Sequence, residues 1–430
     1  MSLKKQVTTG LKWTTFSTII LAIVGLLKIS VLARFLDKSD FGLMALITFV
    51  MGFMNLFNDM GLTSAILHKQ NITKQQYASL YWFNMFFSLV LFFLLIMITP
   101  FVSGFYNEEE LNILIPLFGL NLIISGFGRM FKTIEQKDLL FKYISIIDVF
   151  SAIVSLGFAI YLAVNNYGVY ALVYSSILQF LLSNFMYLYL GLKKYGLLLH
   201  YKFSETKPFL KIGIYQVGGQ IINYFNRDLD ILIIGKMFNT DVLGGYSLAK
   251  QLVMRPMQVL NPVLSKVASP TLAKFQNNIE LLKNNYLKLI NIISTIIIPV
   301  YFIVIIFAPW IVELLYGEGF QNIVIIVRIL SVYMMMRSVS NPVGSLVIAT
   351  GRTDLEFYWN LLTLVTTPIC IYVGSQFGIV GAAVGITFAM FILFVPAWKL
   401  LINKMTGASL GEFSRAIFFL KFKTIVKSEY

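Results

Sequence analysis

Ten ionisable residues of this sequence stand where charge is costly. Lys28, Arg227, Lys250, Arg255, Arg328 and Arg337, with Asp59, Asp148, Asp228 and Asp230, all fall inside long apolar runs. On insertion scales an ionised group at the centre of a membrane helix costs about 2.5–3.5 kcal/mol, so ten facing lipid would cost roughly 25–35 kcal/mol. They must face each other or water, and such residues mark functional sites by default. Redox and metal chemistry are not expected of them. There is one cysteine, Cys370, and the two histidines, His68 and His200, are far apart in polar connections. The inventory is cationic, six against four. Arginine offers a planar fork for phosphate oxygens and lysine a point charge. A basic, hydrated cavity suits an anionic head group such as a pyrophosphate, whereas a carrier of cationic drugs would be expected to have an acidic one.

Spacing sorts these residues onto faces. At 100° per residue, Gln216, Gln220, Asn223, Arg227 and Asp230 fall within about 80° of one helix face. Asp228 lies about 100° from Arg227, so it is expected to do a different job. Asp230 is a candidate partner for Lys28. Elsewhere Thr14, Ser17, Gly25 and Lys28 share a face, as do Thr48, Gly52, Asn55 and Asp59, and Gln251, Arg255 and Gln258. For the uncharged members, polar glue between helices is as good a reading as cavity lining. The candidate substrate-binding set is Lys28, Arg227, Lys250, Arg255, Gln216, Gln220, Asn223, Gln251, Gln258 and Asn55. Asp59, Asp228 and Asp230 are candidates for ion pairing or ion coupling. No catalytic or metal-binding residue is expected, Arg328 and Arg337 lie on opposite faces of their helix, and Asp148 reads as structural.

The elements that hold these faces must be membrane helices. The 430 residues are 58% hydrophobic and 13% charged, against about 25% charged in soluble domains. About 20 apolar residues span the hydrocarbon core. Twelve such runs are expected, at 11–34, 41–67, 77–102, 111–130, 144–164, 168–190, 209–235, 242–267, 285–309, 320–349, 355–376 and 378–401. With the N-terminus cytoplasmic, twenty-five Lys and Arg fall in inner segments and three in outer ones, which fixes both termini inside under the positive-inside rule. The same rule accounts for the net charge of +14 without nucleic acid. The first apolar run lacks a small-residue cleavage site and is expected to stay as a helix.

The halves resemble each other. "RFLDKSDFGLMAL" (34–46) aligns without gaps on "KMFNTDVLGGYSL" (236–248) at an offset of 202. "YNEEE" (106–110) parallels "YGEGF" (316–320), and "GVYALV" (168–173) parallels "GIVGAA" (378–383), both at an offset of 210. Repeats of this parallel kind build many secondary transporters, with the site between the halves. The expected division is a six-helix lobe at 1–191, a basic cytoplasmic linker at 192–208, a second six-helix lobe at 209–402, and a basic cytoplasmic tail at 403–430.

Several stretches resemble a known family. "SLKKQVTTGLKW", "VLARFLDKSDFGLMAL", "DMGLTSAILHKQNIT", "FNRDLDILIIGKMFNTDVLGGYSLAKQLVMRPMQVL", "APWIVELLYGEGF" and "LVIATGRTDLEFYWNLL" are similar to polysaccharide-transporter flippases of the MATE-like multidrug/oligosaccharidyl-lipid/polysaccharide superfamily. Colanic-acid and teichuronic-acid export proteins look nearest. The resemblance covers about residues 2–405. It implies an all-α polytopic protein of the bacterial inner membrane, with two pseudo-symmetric lobes in a V shape and helices 1, 2, 7 and 8 lining a central cavity. It implies a transporter and not an enzyme: a flippase that moves undecaprenyl-diphosphate-linked oligosaccharide repeat units, for lipopolysaccharide or exopolysaccharide, by alternating access. No cofactor is implied beyond a coupling ion, H+ or Na+. The implied partners are the lipid-linked oligosaccharide, the bilayer, and polysaccharide polymerase and chain-length machinery, with the protein a monomer. One departure matters: family members usually carry fourteen helices, and 406–430 is too short and basic to supply the last two. The competing readings are a MATE-type drug antiporter, a polymerase or ligase (disfavoured by short, His-free outer loops), and a non-transporting scaffold of the glycan assembly complex.

Overall fold

The structure, a computed structural model, describes residues 3–69 and 71–419. Every described element is helical. Among the described residues, ten helical bodies are long and apolar enough to cross a membrane. They are α1 (Leu3–Leu32), α2 with α3 (Lys38–Asp59, Leu62–His68), α4 (Lys74–Tyr106), α5 (Leu111–Lys137), α6 (Phe141–Val164), α7 (Val169–Tyr195), α10 (Ile279–Tyr316), α11 with α12 (Val324–Ser340, Val343–Thr350), α13 (Thr353–Ser375) and α14 (Gly378–Ala397). Two more long helices, α8 (Phe203–Met237) and α9 (Thr240–Ala273), occupy the seventh and eighth expected runs. Their length is ample at 1.5 Å per residue, but they are not among the ten. The residues that put α8 and α9 on the candidate list are the ones that dilute their apolar content.

Burial is arranged for a lipid solvent. In α4, Ser79, Asn84, Ser88, Thr99 and Ser103 are buried, while Phe86, Phe93, Met97 and Phe101 are exposed, Phe101 by 78%. Water would reverse that order. In hydrocarbon, apolar side chains lose nothing by facing out, and small polar ones let helices approach and bond. Likewise α13 and α14 meet through glycines: a Cβ on Gly374 would stand 2.2 Å from the Gly381 carbonyl oxygen, and one on Gly381 the same distance from that of Gly374.

The chain divides into two compact units. One comprises Met1–Tyr224 and Asn239–Gly244, the other Phe225–Phe238 and Gly245–Tyr430. The division runs inside α8. In the first unit α1 packs on α6, α6 on α7, α7 on α5, and α5 on α4 and α2. In the second, α10 packs on α11, α11 on α14 and α14 on α13.

Helix ends follow local chemistry. Thr73 and Gln76 form a reciprocal capping box at the start of α4, satisfying donors that a helix N-terminus leaves orphaned. Two expected runs are interrupted. The second breaks at Met60 and Gly61, both at positive φ (44° and 65°), and a Cβ on Gly61 would stand 2.5 Å from Gly213 Cα in α8. The tenth breaks at Asn341–Pro342 between α11 and α12.

The start of α9, counted in the first unit, meets the start of α2 as closely. A Cβ on Gly42 would fall 1.9 Å from the Thr240 carbonyl oxygen, and one on Gly244 would fall 1.7 Å from that of Lys38. The offset of 202 carries Lys38 to Thr240 and Gly42 to Gly244, so the contact is its own image under the repeat.

Past α14 the helix continues through a π turn (Trp398–Asn403) into α15 (Lys404–Thr406), and α16 (Leu410–Phe418) follows. Residues 404–419 are therefore not a free tail. Phe413 and Ile417 of α16 are buried, the Asn291 amide of α10 donates to the Ala416 and Phe419 carbonyls, and Lys283 pairs with Glu412 at 3.0 Å. Residues 420–430 of the expected tail lie outside the described residues.

Candidate functional site

The second unit contains a cluster of charges built on α8 and α9. Tyr246 and Lys250 are one turn apart on α9, so both reach the same spot on α8. The Tyr246 hydroxyl donates to Asp230 Oδ2 at 2.6 Å and the Lys250 ammonium to Asp230 Oδ1 at 2.7 Å. Lys250 also donates to Asp228 Oδ1 at 3.1 Å and to the Arg227 carbonyl at 3.0 Å. Arg227 Nε donates to Asp228 Oδ2 at 2.7 Å. Exposure rises steadily outward: the Asp230 side chain is 1% exposed, Lys250 11%, Asp228 21% and Arg227 50%. On α11, Arg337 donates to the Tyr333 hydroxyl. Next to the cluster the Asn226 amide donates to the Asn360 carbonyl of α13 at 3.0 Å.

This geometry rearranges the expected roles. Asp230 does not share a wet face with Arg227. It is buried, held by a tyrosine and a lysine. Asp228 was expected to stand apart, yet it is the carboxylate that Arg227 binds. The helical wheel treats side chains as points, whereas the long arm of Arg227 bends round the helix to its neighbour. Lys250 has three N–H donors and three acceptors, so it has none left for a ligand. Its task here is to hold two carboxylates in place.

Arg255, one turn and a half further along α9, has a different setting. Its Nη1 donates to Gln258 Oε1 at 3.1 Å, and its Nε is buried with no hydrogen-bond partner. Among the described residues no carboxylate pairs with it. Gln258 is exposed and Gln251 half-buried. Arg328 turns to the Ile305 carbonyl at 3.2 Å, and so separates from Arg337 as the spacing requires.

The remaining candidates belong to the first unit. Lys28 donates to Ser155 Oγ at 3.2 Å, and Ser155 to the Ser175 carbonyl at 2.7 Å. Its bond is to a serine of α6, while Asp230, its expected partner, is bonded to Lys250 and Tyr246. Asn55, Gln220 and Asn223 are exposed. The side chain of Gln216 lies outside the described residues. Asp59, the last residue of α2, accepts from Thr63 across the helix break. Asp148 pairs with Lys132 at 2.9 Å and accepts from Tyr187 at 2.9 Å, the structural role expected of it.

Three groups were missed. Tyr246 lies within a run that reads as apolar; its spacing of four from Lys250 was the available signal. Arg129 falls within α5, and its Nη2 donates to Ser125 Oγ at 3.2 Å. That bond extends a buried network centred on Asn58, whose amide donates to Ser125 Oγ at 3.0 Å and accepts from Ser88 Oγ at 2.7 Å.

Comparison with known proteins places this architecture. The lipid II flippase MurJ, in an inward closed conformation, superposes with a TM-score of 0.75 at 14% identity, covering 95% of this chain and 90% of MurJ, which shows a shared fold. The lipopolysaccharide biosynthesis protein WzxC of Escherichia coli K12 is 28% identical over 436 residues, covering 100% of this chain and 88% of WzxC. The teichuronic acid biosynthesis protein TuaB of Bacillus subtilis 168 is 28% identical over 380 residues, covering 88% of this chain and 78% of TuaB. The profile of the family described as "Polysaccharide biosynthesis protein" matches residues 31–325, more than half of the chain. This multi-pass membrane chain belongs to the polysaccharide biosynthesis protein family.

Proposed function

We propose that this protein is a flippase for lipid-linked oligosaccharides, carrying undecaprenyl-diphosphate-linked repeat units across the bacterial inner membrane for surface polysaccharide synthesis. The family match, the WzxC and TuaB relatives and the fold shared with a lipid II flippase support the class. The observation that carries the reading to this chain's residues is which cations are exposed and which are enclosed by carboxylates. Lys250 is neutralised by two aspartates, whereas Arg227 keeps a half-exposed guanidinium and Arg255 has no acidic partner among the described residues. Charge-assisted bonds from arginine to phosphate are about twice as strong as neutral ones. In the second unit Arg227 and Arg255 are the groups that hold the diphosphate, with Gln251 and Gln258 offering hydrogen bonds to sugar hydroxyls; in the first unit the candidates are Lys28 for charge and Asn55, Gln216, Gln220 and Asn223 for hydrogen bonding.

Transport works by exposing these groups alternately to the two sides while the lipid tail stays in the bilayer. The helix count is twelve, because α8 and α9 are long enough to span and their polar residues have protein or substrate to face. Both termini are cytoplasmic, as the lysine and arginine bias requires. Asp59, at a break in a helix, is the first candidate for coupling to an ion, H+ or Na+. The protein acts without a cofactor, as a monomer, alongside the polymerase and chain-length machinery. Deleting the gene tests the reading: lipid-linked oligosaccharide should accumulate on the cytoplasmic leaflet. Normal surface glycan in the deletion strain, with no such accumulation, would overturn it.

A further inference from the structure

We propose that Asp228 is a resident anion on Arg227, standing where a phosphate of the substrate binds and giving way to it. This rests on the reading that the protein carries a diphosphate. The Arg227–Asp228 pair is the outermost of the cluster, and the guanidinium is half exposed while Asp230 is sealed. An ion pair this exposed is weak, worth at most about fivefold in an equilibrium. A diphosphate brings more charge and more oxygens than one carboxylate, and the planar fork of arginine matches phosphate in a two-pronged bond. A diphosphate therefore outcompetes Asp228, and Asp228 in turn speeds its release.

The structure also accommodates the displaced carboxylate. Asp228 is gripped through its other oxygen by Lys250 at 3.1 Å, so it is not orphaned when Arg227 leaves. Lys250 keeps Asp230 as well, and Tyr246 keeps its bond. On α11, Arg337 lies within electrostatic reach of both aspartates. Lys250 and Arg337 thus balance Asp228 and Asp230 once Arg227 has turned to the ligand. The neighbours from α13 and α14 beside Asp230 are Thr367, Pro368, Ile371 and Ile386, none of them charged. Removing Arg227 leaves both aspartates bonded to Lys250, whereas removing Lys250 leaves Asp230 with no bonded cation among the described residues. This asymmetry marks Arg227 as the exchangeable cation and Lys250 as the fixed one.

The test is binding of a soluble diphosphate diester, UDP-glucose, to the full-length protein in detergent, by titration calorimetry and rapid dissociation. Asp228→Asn keeps an acceptor for Lys250 but gives up the carboxylate's charge. It should tighten binding about fivefold, mostly through slower dissociation. In an Arg227→Gln background the same substitution should change Kd by less than about twofold. Asp228→Ser, which also removes the charge, should repeat both results and covers a folding defect in the first variant. Equal affinity in the wild type and both variants, or an equal gain without Arg227, overturns the exchange while leaving the flippase reading standing. Failure of the wild type to bind the probe at millimolar concentration overturns both.

Discussion

Replacing Lys250 with methionine should leave two aspartates without their shared cation. Asp230 is 1% exposed at its side chain and would lose a bond of 2.7 Å; Asp228 would lose one of 3.1 Å. Removing one partner of a buried pair costs about 3–5 kcal/mol, because the other charge stays buried and unpaired. Tyr246 still donates to Asp230, and Arg227 still donates to Asp228, which places the cost near the lower end, about 3 kcal/mol. For a unit of about two hundred residues, each kcal/mol moves the midpoint by about 2–4 °C, so the loss should be about 6 °C or more. The assay is the midpoint for loss of the monodisperse peak in detergent, at one heating rate for all variants. Adding Asp230→Asn to Lys250→Met should recover about half of the loss. The asparagine oxygen still accepts from Tyr246, and no charge is left sealed. A Lys250→Met variant as stable as the wild type, or a double variant no better than the single, would refute the assignment of Lys250 as an internal counter-ion.

Gly244→Ala should cost about 3 kcal/mol, as overpacking against a carbonyl oxygen 1.7 Å away forces the backbone apart; size-exclusion profiles of the folded fraction would show it. Asn58→Ala should cost about the same, because Ser88 loses its acceptor and Ser125 one of its donors inside the first unit, and the same thermal midpoint reports it. Glu412, outside the membrane helices, is held down to about 2 by the Ser409 backbone N–H, the Lys283 ammonium and the Ser409 hydroxyl. A depressed carboxylate stabilises above its unfolded value and loses that contribution as pH falls through its folded value. The difference between wild type and Glu412→Gln in hydrogen exchange over 404–419 should be constant above about pH 4.5 and vanish towards pH 2.

Much of the helical plan was legible in the sequence because lipid imposes one composition on every surface it touches. Runs such as 77–102 and 378–401 need about 20 apolar residues whatever they pack against. Breaks were not legible. Met60 is an ordinary apolar residue, and only the close seat of Gly61 on Gly213 gives the left-handed turn a reason. The alignment of Gly42 on Gly244 was legible, but not that each packs on the other's helix start, since a repeat offset carries no distances. At the candidate site the spacing grouped Asp230 with Arg227, whereas the structure buries Asp230 against Tyr246 and Lys250. Spacing could not tell an enclosed cation from a half-exposed one. Lys250 and Arg227 look alike in one dimension; only the approach of α9 to α8 reveals that Lys250 has exhausted its donors. The bonding of Arg129 was hidden for a related reason: one dimension does not show the serine that its guanidinium reaches.

The central claim is that this chain moves a diphosphate-linked glycan and that Arg227 and Arg255 hold it. The most direct measurement is flipping of a fluorescent undecaprenyl-diphosphate oligosaccharide in proteoliposomes of the purified protein, read by quencher accessibility from one side. The wild type should speed flipping well above that of protein-free vesicles. Arg227→Ala and Arg255→Ala, reconstituted to equal density, should each slow it by about 10- to 100-fold, the worth of a lost bond to a charged group. Flipping by the wild type no faster than in protein-free vesicles, or undiminished in both arginine variants, would contradict the account.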